Sequence, residues 1–356
     1  MTSTPSKSLA WIWITPYTPP SETCLSVPSG GVVYAISDDL VIKLPFQFLI
    51  PIDLPDNEQA CVFHRDLGLR SFELLHNEST LYEILSANPP HRNIVRKLFG
   101  GSESGLVLER IASKLSEVHE GASTETRHRW LLELVSALSW LEQLGYTHGD
   151  LAVRNILVDK DSRLKLSDFD QATRNDHEYF NSTVEEDHSG LATCLHFILS
   201  GIDPIASSGR DFRKVKQQMH DGKYEVHAEA EILGDIIRAG WTGRLMGRSF
   251  AQIEQDVISA LKTESERKLG LISRLFAQVY PATLLRLKNL LWGVDGAEIE
   301  PSNAQAPELD VRQMRQTYDA WLDTVETDQQ WKDEEEYRLA WKAVGLEGTK
   351  GEWSVL

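Results

Sequence analysis

The sequence predicts an α+β protein, with a small strand-rich N-terminal part followed by a larger helical part. Two observations carry this. Val32, Val33, Tyr34 and Ile36 are strand formers, Ser37-Asp38-Asp39 reads as a turn, and Leu40 to Leu44 follows as a second strand. Further on, Trp130, Leu131, Leu134, Val135, Leu138, Leu141 and Leu144 recur at i, i+1, i+4, i+5, i+8, i+11 and i+14, one face of a long amphipathic helix that Gly145 would cap.

The elements follow in order. Residues 1–24 are rich in Pro, Ser and Thr and read as an irregular arm. Residues 45–70 hold several Pro or polar breaks and read as an insertion, and Ser71–Ser86 as a helix stopped by Asn88-Pro89-Pro90. Ile94 to Leu98 and Leu106 to Leu108 are short apolar runs expected to be strands. Ile156 to Val158 and Leu164 to Leu166, separated by Asp159-Lys160-Asp161-Ser162, read as a hairpin. From Gly190 onward nearly everything looks helical. Leu271–Leu291 is expected to be a helix broken at Pro281, and 293–307 a linker. Val311, Met314, Tyr318, Trp321, Leu322 and Val325 trace one helical face, and Trp331 and Trp341 fall on a second, acidic helix. This tail is expected either to pack on the large helical part or to offer a partner-binding helix.

Composition narrows the function classes. The 356 residues carry 36 Lys+Arg against 53 Asp+Glu, a net charge of −17, which argues against unassisted binding to nucleic acid or to an anionic membrane face. Residues 295–356 hold 15 Asp/Glu and 6 Lys/Arg, so more than half of that acidity sits on the tail. Cys24, Cys61 and Cys194 are an odd count at long spacings, which writes neither a disulfide framework nor a zinc motif. No apolar run approaches the ~20 residues of a membrane span, and residues 9–14 are too short for a secretory h-region. The expected setting is cytoplasmic or nuclear.

The chemistry-bearing segment is Tyr146-Thr147-His148-Gly149-Asp150-Leu151-Ala152-Val153-Arg154-Asn155, followed by Ser167-Asp168-Phe169-Asp170. It resembles the protein kinase superfamily: His148-Gly149-Asp150 stands at the His-Arg-Asp slot with Asn155 five residues after the Asp, and Asp168-Phe169-Asp170 stands at the Asp-Phe-Gly slot. Upstream, Val41-Ile42-Lys43 resembles the third-strand element with its lysine. Glu78 is the candidate ion-pair partner, Glu83 the spare, and Leu108-Glu109-Arg110-Ile111 looks like the segment that receives adenine. Downstream, Asp187 through Pro204 resembles the central helix of the large lobe, and Leu233 through Trp241 a late helix ending in a buried Trp.

The resemblance implies a bilobed kinase-like fold over 25–262, with an N-lobe of about 25–111, a C-lobe of about 112–262 and a helical extension over 263–356. It implies ATP and Mg²⁺ as cofactors and phosphoryl transfer to a hydroxyl of a protein substrate, Ser/Thr being the expected acceptor. Asp150 would take or orient the hydroxyl proton, Arg154 would stabilise phosphoryl charge, and Asn155 and Asp168 would ligate Mg²⁺. Lys43 would contact phosphates, held by Glu78. Gly30 and Gly31 would cover the phosphates, and Leu108, Glu109 and Ile111 would frame the base. His148 is expected to pack near Phe169 and hold the loop, and Asp187 to brace the loop backbone.

The sequence also departs from that pattern. The Gly-x-Gly-x-x-Gly slots fall on Ser26, Pro28 and Gly31, leaving Gly30 and Gly31 alone. Asp170 replaces the expected Gly. Gly149 replaces the Arg that would pair with a phosphorylated loop, so activation is expected not to need loop phosphorylation. The segment from Asp168 to Asp187 is short and lacks Ala-Pro-Glu. Arg154, four residues after the Asp, is the tyrosine-kinase arrangement. A pseudokinase scaffold and a small-molecule kinase of the aminoglycoside or choline phosphotransferase type are the rival readings.

Overall fold

The structure, a computed structural model, describes residues 12–27, 30–50, 58–111, 113–276, 310–344 and 346. The chain divides into two compact units, one of Met1–Glu83, Arg96–Arg110 and Leu309–Leu356, the other of Ile84–Val95 and Ile111–Glu308. The expected linker over 293–307 and the break at Pro281 lie outside the described residues.

The first unit is built on strands. In chain order they are β1 (Trp13–Ile14), β2 (Cys24–Ser26), β3 (Val32–Ala35), β4 (Leu40–Leu44), β5 (Gln47–Phe48), β6 (Lys97–Gly101) and β7 (Gly105–Glu109). Five of them form an antiparallel sheet in the order β2-β3-β4-β7-β6, and β1 pairs separately with β5. The arm is thus less irregular than expected from residue 12 on. All of β4 and β7 is buried, as central strands must be. The strand expected over Ile94 to Leu98 is shifted: Ile94 makes one parallel bridge to Leu166, and β6 starts at Lys97.

α1 runs over Glu58–Ser86, 29 residues, so the helix expected from Ser71 begins well before it and takes in residues 58–70 of the expected insertion. The second unit follows with β8 (Ser113–Lys114), α2 (Leu115–Val118), α3 (Thr124–Gln143), the hairpin β9 (Ile156–Val158) and β10 (Leu164–Leu166), then α4 (Phe180–Ser200), α5 (Phe212–His220), α6 (Gly234–Trp241) and α7 (Phe250–Phe276). α3 starts where Ser123 accepts the Thr126 N–H at 3.2 Å, and buries Trp130, Leu131, Leu134, Val135, Leu138 and Leu141, the face read from the sequence. The Nε1–H of Trp241, buried at the end of α6, donates to Thr193 on α4 at 3.1 Å. α7 runs through 262–263, where the sequence reading starts the extension.

The chain then returns to the first unit through α8 (Val311–Leu322) and α9 (Glu334–Ala343). The tail therefore packs with the strands of the first unit. Tyr318 and Trp321 of α8 join the sheet core with Val32, Tyr34, Leu40 and Phe46. Tyr337 and Trp341 of α9 are fully buried and cluster with Cys61 and Leu346. The helix has room for them because α1 carries Gly68, where a Cβ would come within 2.8 Å of the Tyr337 hydroxyl. That hydroxyl also accepts the Phe48 N–H at 3.1 Å, and burial pushes its pKa up to about 12.

This packing predicts that Trp341→Ala lowers stability by about 3–5 kcal/mol, the cost of emptying a large buried site. Hydrogen exchange should quicken in α1 and β5 and stay unchanged in α4 and α6. Faster exchange in α4 and α6 instead would contradict the assignment of the tail.

Candidate active site

The first unit contributes a dry ion pair. Lys43 lies in β4, and its Nζ is 2.6 Å from Glu78 Oε2 on α1, with the side chains only 3% and 1% exposed. Such a pair adds little over an apolar one, but removing one partner strands the other charge at about 3–5 kcal/mol. Glu83, the spare, pairs with Lys97 instead and is exposed. The segment expected to receive adenine is tied down by its own unit: Leu108 is buried opposite Val41, Glu109 accepts the Arg96 N–H at 3.0 Å and pairs with its guanidinium, and the Arg110 N–H donates to Asp39 O at 2.8 Å. The Glu109 carboxylate is therefore structural. Gly31 has φ +153°, and a Cβ there would lie 2.5 Å from the Leu44 carbonyl oxygen, so the sheet itself demands this glycine. Gly30 beside it is buried; Pro28, the middle slot, is outside the described residues.

The second unit contributes the loop around Asp150. Asp187, buried in α4, accepts the His148 N–H at 2.6 Å with Oδ2 and the Gly149 N–H at 2.9 Å with Oδ1. Burial pushes its carboxyl up to about 7, against the lowering effect of those two hydrogen bonds. His148 Nε2 faces Ser167 O at 3.1 Å, while its Nδ1 accepts the Asp150 N–H at 3.3 Å. A carbonyl can only accept, so Nε2 carries the proton and the ring is neutral. Burial lowers its pKa, outweighing the raising effect of Asp168 and Asp150. The ring sits 5.2 Å from that of Phe169. His148 is thus a brace, as its position in the sequence suggested.

Asp150 is about a third exposed, at 35%. Arg154 reaches both its oxygens through Nη2, at 2.6 and 2.7 Å, and Asn155 Nδ2 donates to Asp150 O at 2.8 Å and to Oδ2 at 3.1 Å. Asn155 thereby spends its amide hydrogens on Asp150 and keeps Oδ1, the atom a hard cation would use. Ser167 binds Asn155 O through its N–H at 3.1 Å and its hydroxyl at 3.0 Å, which ties the residue before Asp168 to the loop. Sequence reading passed over Ser167; its place directly before Asp168 was the available signal. Asp168 has φ +68°, a left-handed conformation that non-glycine residues hold where function or packing imposes it.

Gly149 is not free to be the usual Arg. It has φ +81°, and a Cβ would lie 2.0 Å from the Gln171 carbonyl oxygen. Residues after Asp170 turn back along Gly145–Thr147: the Thr147 N–H donates to Thr173 O, and the Asn175 N–H to Gly145 O, both at 2.9 Å. Only residues 171–179 separate Asp170 from α4.

Comparison with known proteins finds similarity over the segment that holds these residues. The family model of protein tyrosine and serine/threonine kinase covers residues 75–190, from Glu78 through Asp187. Over these residues the chain resembles a protein kinase domain. It is 23% identical over 192 residues to NUAK family SNF1-like kinase 1 of Mus musculus, covering 47% of this chain and 29% of that protein. It is 25% identical over 192 residues to NUAK family SNF1-like kinase 2 of Rattus norvegicus, covering 47% and 30%. With the dual serine/threonine and tyrosine protein kinase of Mus musculus it shares 30% over 82 residues, 22% of this chain and 9% of that protein. The matched part of the chain thus spans under a third of the length of these relatives.

Two outcomes follow for the second unit. Gly149→Ala should destabilise it by more than about 2 kcal/mol, because strain and a backbone clash add; urea unfolding reads the loss. For Asp187, the folded carboxyl titrates near 7 against an ordinary 3.8, so its contribution is full below pH 4 and lost as pH rises through about 7. The stability difference between the parent and Asp187→Asn should therefore shrink between pH 4 and 8, and a difference growing over that window would refute the assignment.

Proposed function

We propose that the kinase domain is active and transfers the γ-phosphoryl group of Mg-ATP to a hydroxyl on a protein, with Ser/Thr as the expected acceptor. The observation that carries this reading is the loop of Asp150 and Asn155, hydrogen-bonded to each other and clamped by Asp187. The residues fit the cofactor. Asn155 Oδ1 and the Asp168 carboxylate are hard oxygens, and no group of three or more His, Cys, Asp or Glu that could hold a metal occurs among the described residues. That suits an ion that keeps waters and takes phosphate oxygens, not a caged structural metal. Bound Mg-ATP supplies the transferable phosphoryl group and the screening of its charge.

The chain's own groups do the rest. Lys43, oriented by Glu78, offers its ammonium to the phosphates. Asp150 accepts the hydrogen bond of the acceptor hydroxyl and takes its proton as transfer proceeds. Arg154 occupies that carboxylate meanwhile. Its side chain is 65% exposed, and an exposed pair is worth at most about 1 kcal/mol, so it can turn from Asp150 toward the phosphoryl oxygens cheaply. The same occupation of both Asp150 oxygens is what favours the second reading, a pseudokinase scaffold.

A thermal melt decides between them. Mg-ATP should raise stability by about 2.7 kcal/mol at a hundredfold excess over Kd, and Asp168→Ala should abolish the Mg-dependent part. Transfer of labelled γ-phosphate to protein should vanish in Asp150→Asn. No shift at millimolar nucleotide would sink the enzyme reading and leave the scaffold.

A further inference from the structure

We propose that two hydroxyls, those of Ser71 and Tyr337, set the register of α1 against the chain that leaves β4 and so position Glu78 for Lys43; as a role in nucleotide binding this rests on the kinase reading above. The chain from Lys43 to Phe48 meets α1 at three successive points. Lys43 Nζ lies 2.6 Å from Glu78 Oε2. The Phe46 N–H donates to Ser71 Oγ at 3.0 Å. The Phe48 N–H donates to the Tyr337 hydroxyl at 3.1 Å, which stands over Gly68, where a Cβ would come within 2.8 Å of it.

The spacings along the two elements agree. Gly68, Ser71, Leu75 and Glu78 share one face of α1, and the last three are at most 1% exposed. An extended chain advances about 10 Å over the three residues from Lys43 to Phe46. A helix advances about 10.5 Å over the seven residues from Glu78 back to Ser71. Slipping α1 by one residue would shift it by about 1.5 Å and turn that face by about 100°. The ion pair and the Ser71 contact are therefore met together in one register, and Tyr337 of the tail supplies the third contact where α1 offers only a glycine.

Donors and acceptors need each other here. Phe46 and Phe48 are two residues apart, so in an extended chain their N–H groups leave the same edge. The opposite edge is taken by β1, where the Leu49 N–H reaches Ile12 O at 3.0 Å. Both phenylalanines are buried, so an open N–H at either would carry the cost of an unmade hydrogen bond. In return, α1 carries a Gly and a Ser at the contact points, residues that helix propensity does not select for a helix interior. Ser71 and Tyr337 are thus positioning residues, acting on the phosphate-binding lysine through Glu78.

The test uses the full chain and two mild variants, Ser71→Ala and Tyr337→Phe, the second of which keeps the ring in place. Acetylation of Lys43 by acetic anhydride, followed by mass spectrometry, reads the ion pair without nucleotide. Each variant should quicken it by about fivefold or more, the scale of one lost buried hydrogen bond. A register slip exposes little surface, so the gain should not grow with low urea. Adding Ser71→Ala to Glu78→Gln should quicken labelling by less than about twofold further, because the two act in series. The Kd of Mg-ATP should rise in each single variant by a factor similar to the gain in labelling. Parent-like labelling in both variants, a gain that climbs steeply with urea, or an unchanged Kd would overturn the positioning role. Mg-ATP should also slow Lys43 labelling in the parent protein. Quicker labelling in the variants with no nucleotide protection of the parent would keep the register assignment and sink the kinase reading; protection of the parent with parent-like variants would do the reverse.

Discussion

One carboxylate holds the functional half of the second unit together. Asp187 is buried in the first half of α4, and its two oxygens take the N–H groups of His148 and Gly149. Those two donors lie in a loop, and a buried loop donor left without an acceptor costs roughly as much as a lost hydrogen bond. With both satisfied, the loop can stay buried up to His148 and surface only at Asp150. From there the order passes on: His148 binds Ser167 O, Ser167 binds Asn155 O, and Asn155 binds Asp150. Two aspartates and an amide oxygen that are 18 positions apart in the chain at most become a set fixed by a single helix.

The first unit solves a different problem, which is to keep Lys43 and Glu78 paired in a dry setting. β4 is fixed on both edges by β3 and β7. α1 has no comparable ladder, and what holds its first half is the tail: Tyr337 and Trp341 fill the space at Gly68 and Cys61, and Trp331 lies 5.4 Å from Phe72. Residues from the far end of the chain thus stabilise the helix that carries Glu78. The tail's large negative charge is no obstacle, because its buried face is aromatic while Glu334, Glu335 and Glu336 sit in the first turn of α9, where they complement the helix dipole.

What could be read from the sequence follows from how local each determinant is. α3 announces itself because its apolar face is complete within one helix, and β9–β10 because strand, turn and strand are consecutive. The loop residues could be named because their spacing is local. Residues 58–70 misled because the partners of Cys61 and Leu69 are Tyr337, Trp341 and Leu346, far downstream, and a helix with a Gly and polar breaks looks weak until they are supplied. The tail's own helix over 311–322 was legible, but amphipathicity says that a face is covered without saying by what. The structural use of Glu109 was hidden for the same reason, since Arg96 is its neighbour only across the β6–β7 ladder.

Gly149 shows how a departure from a pattern can be read twice. In the sequence it is a missing arginine, one that would otherwise grip a phosphorylated loop. In three dimensions it is a position where no side chain fits, because Gln171 O stands where a Cβ would be. The two facts have one cause. The segment after Asp170 is so short that it must turn straight back along Gly145–Thr147, and that return brings its backbone against residue 149. The hydroxyl of Thr173 donates to Gln171 O at 3.2 Å, and its N–H donates to the Thr147 hydroxyl at 3.2 Å, so the return is held by hydrogen bonds within the segment. A phosphate added at Thr173 would break the first of these contacts and would find no arginine at 149 to compensate. The short return and its hydrogen bonds order this segment, and the same return leaves no room for a side chain at position 149.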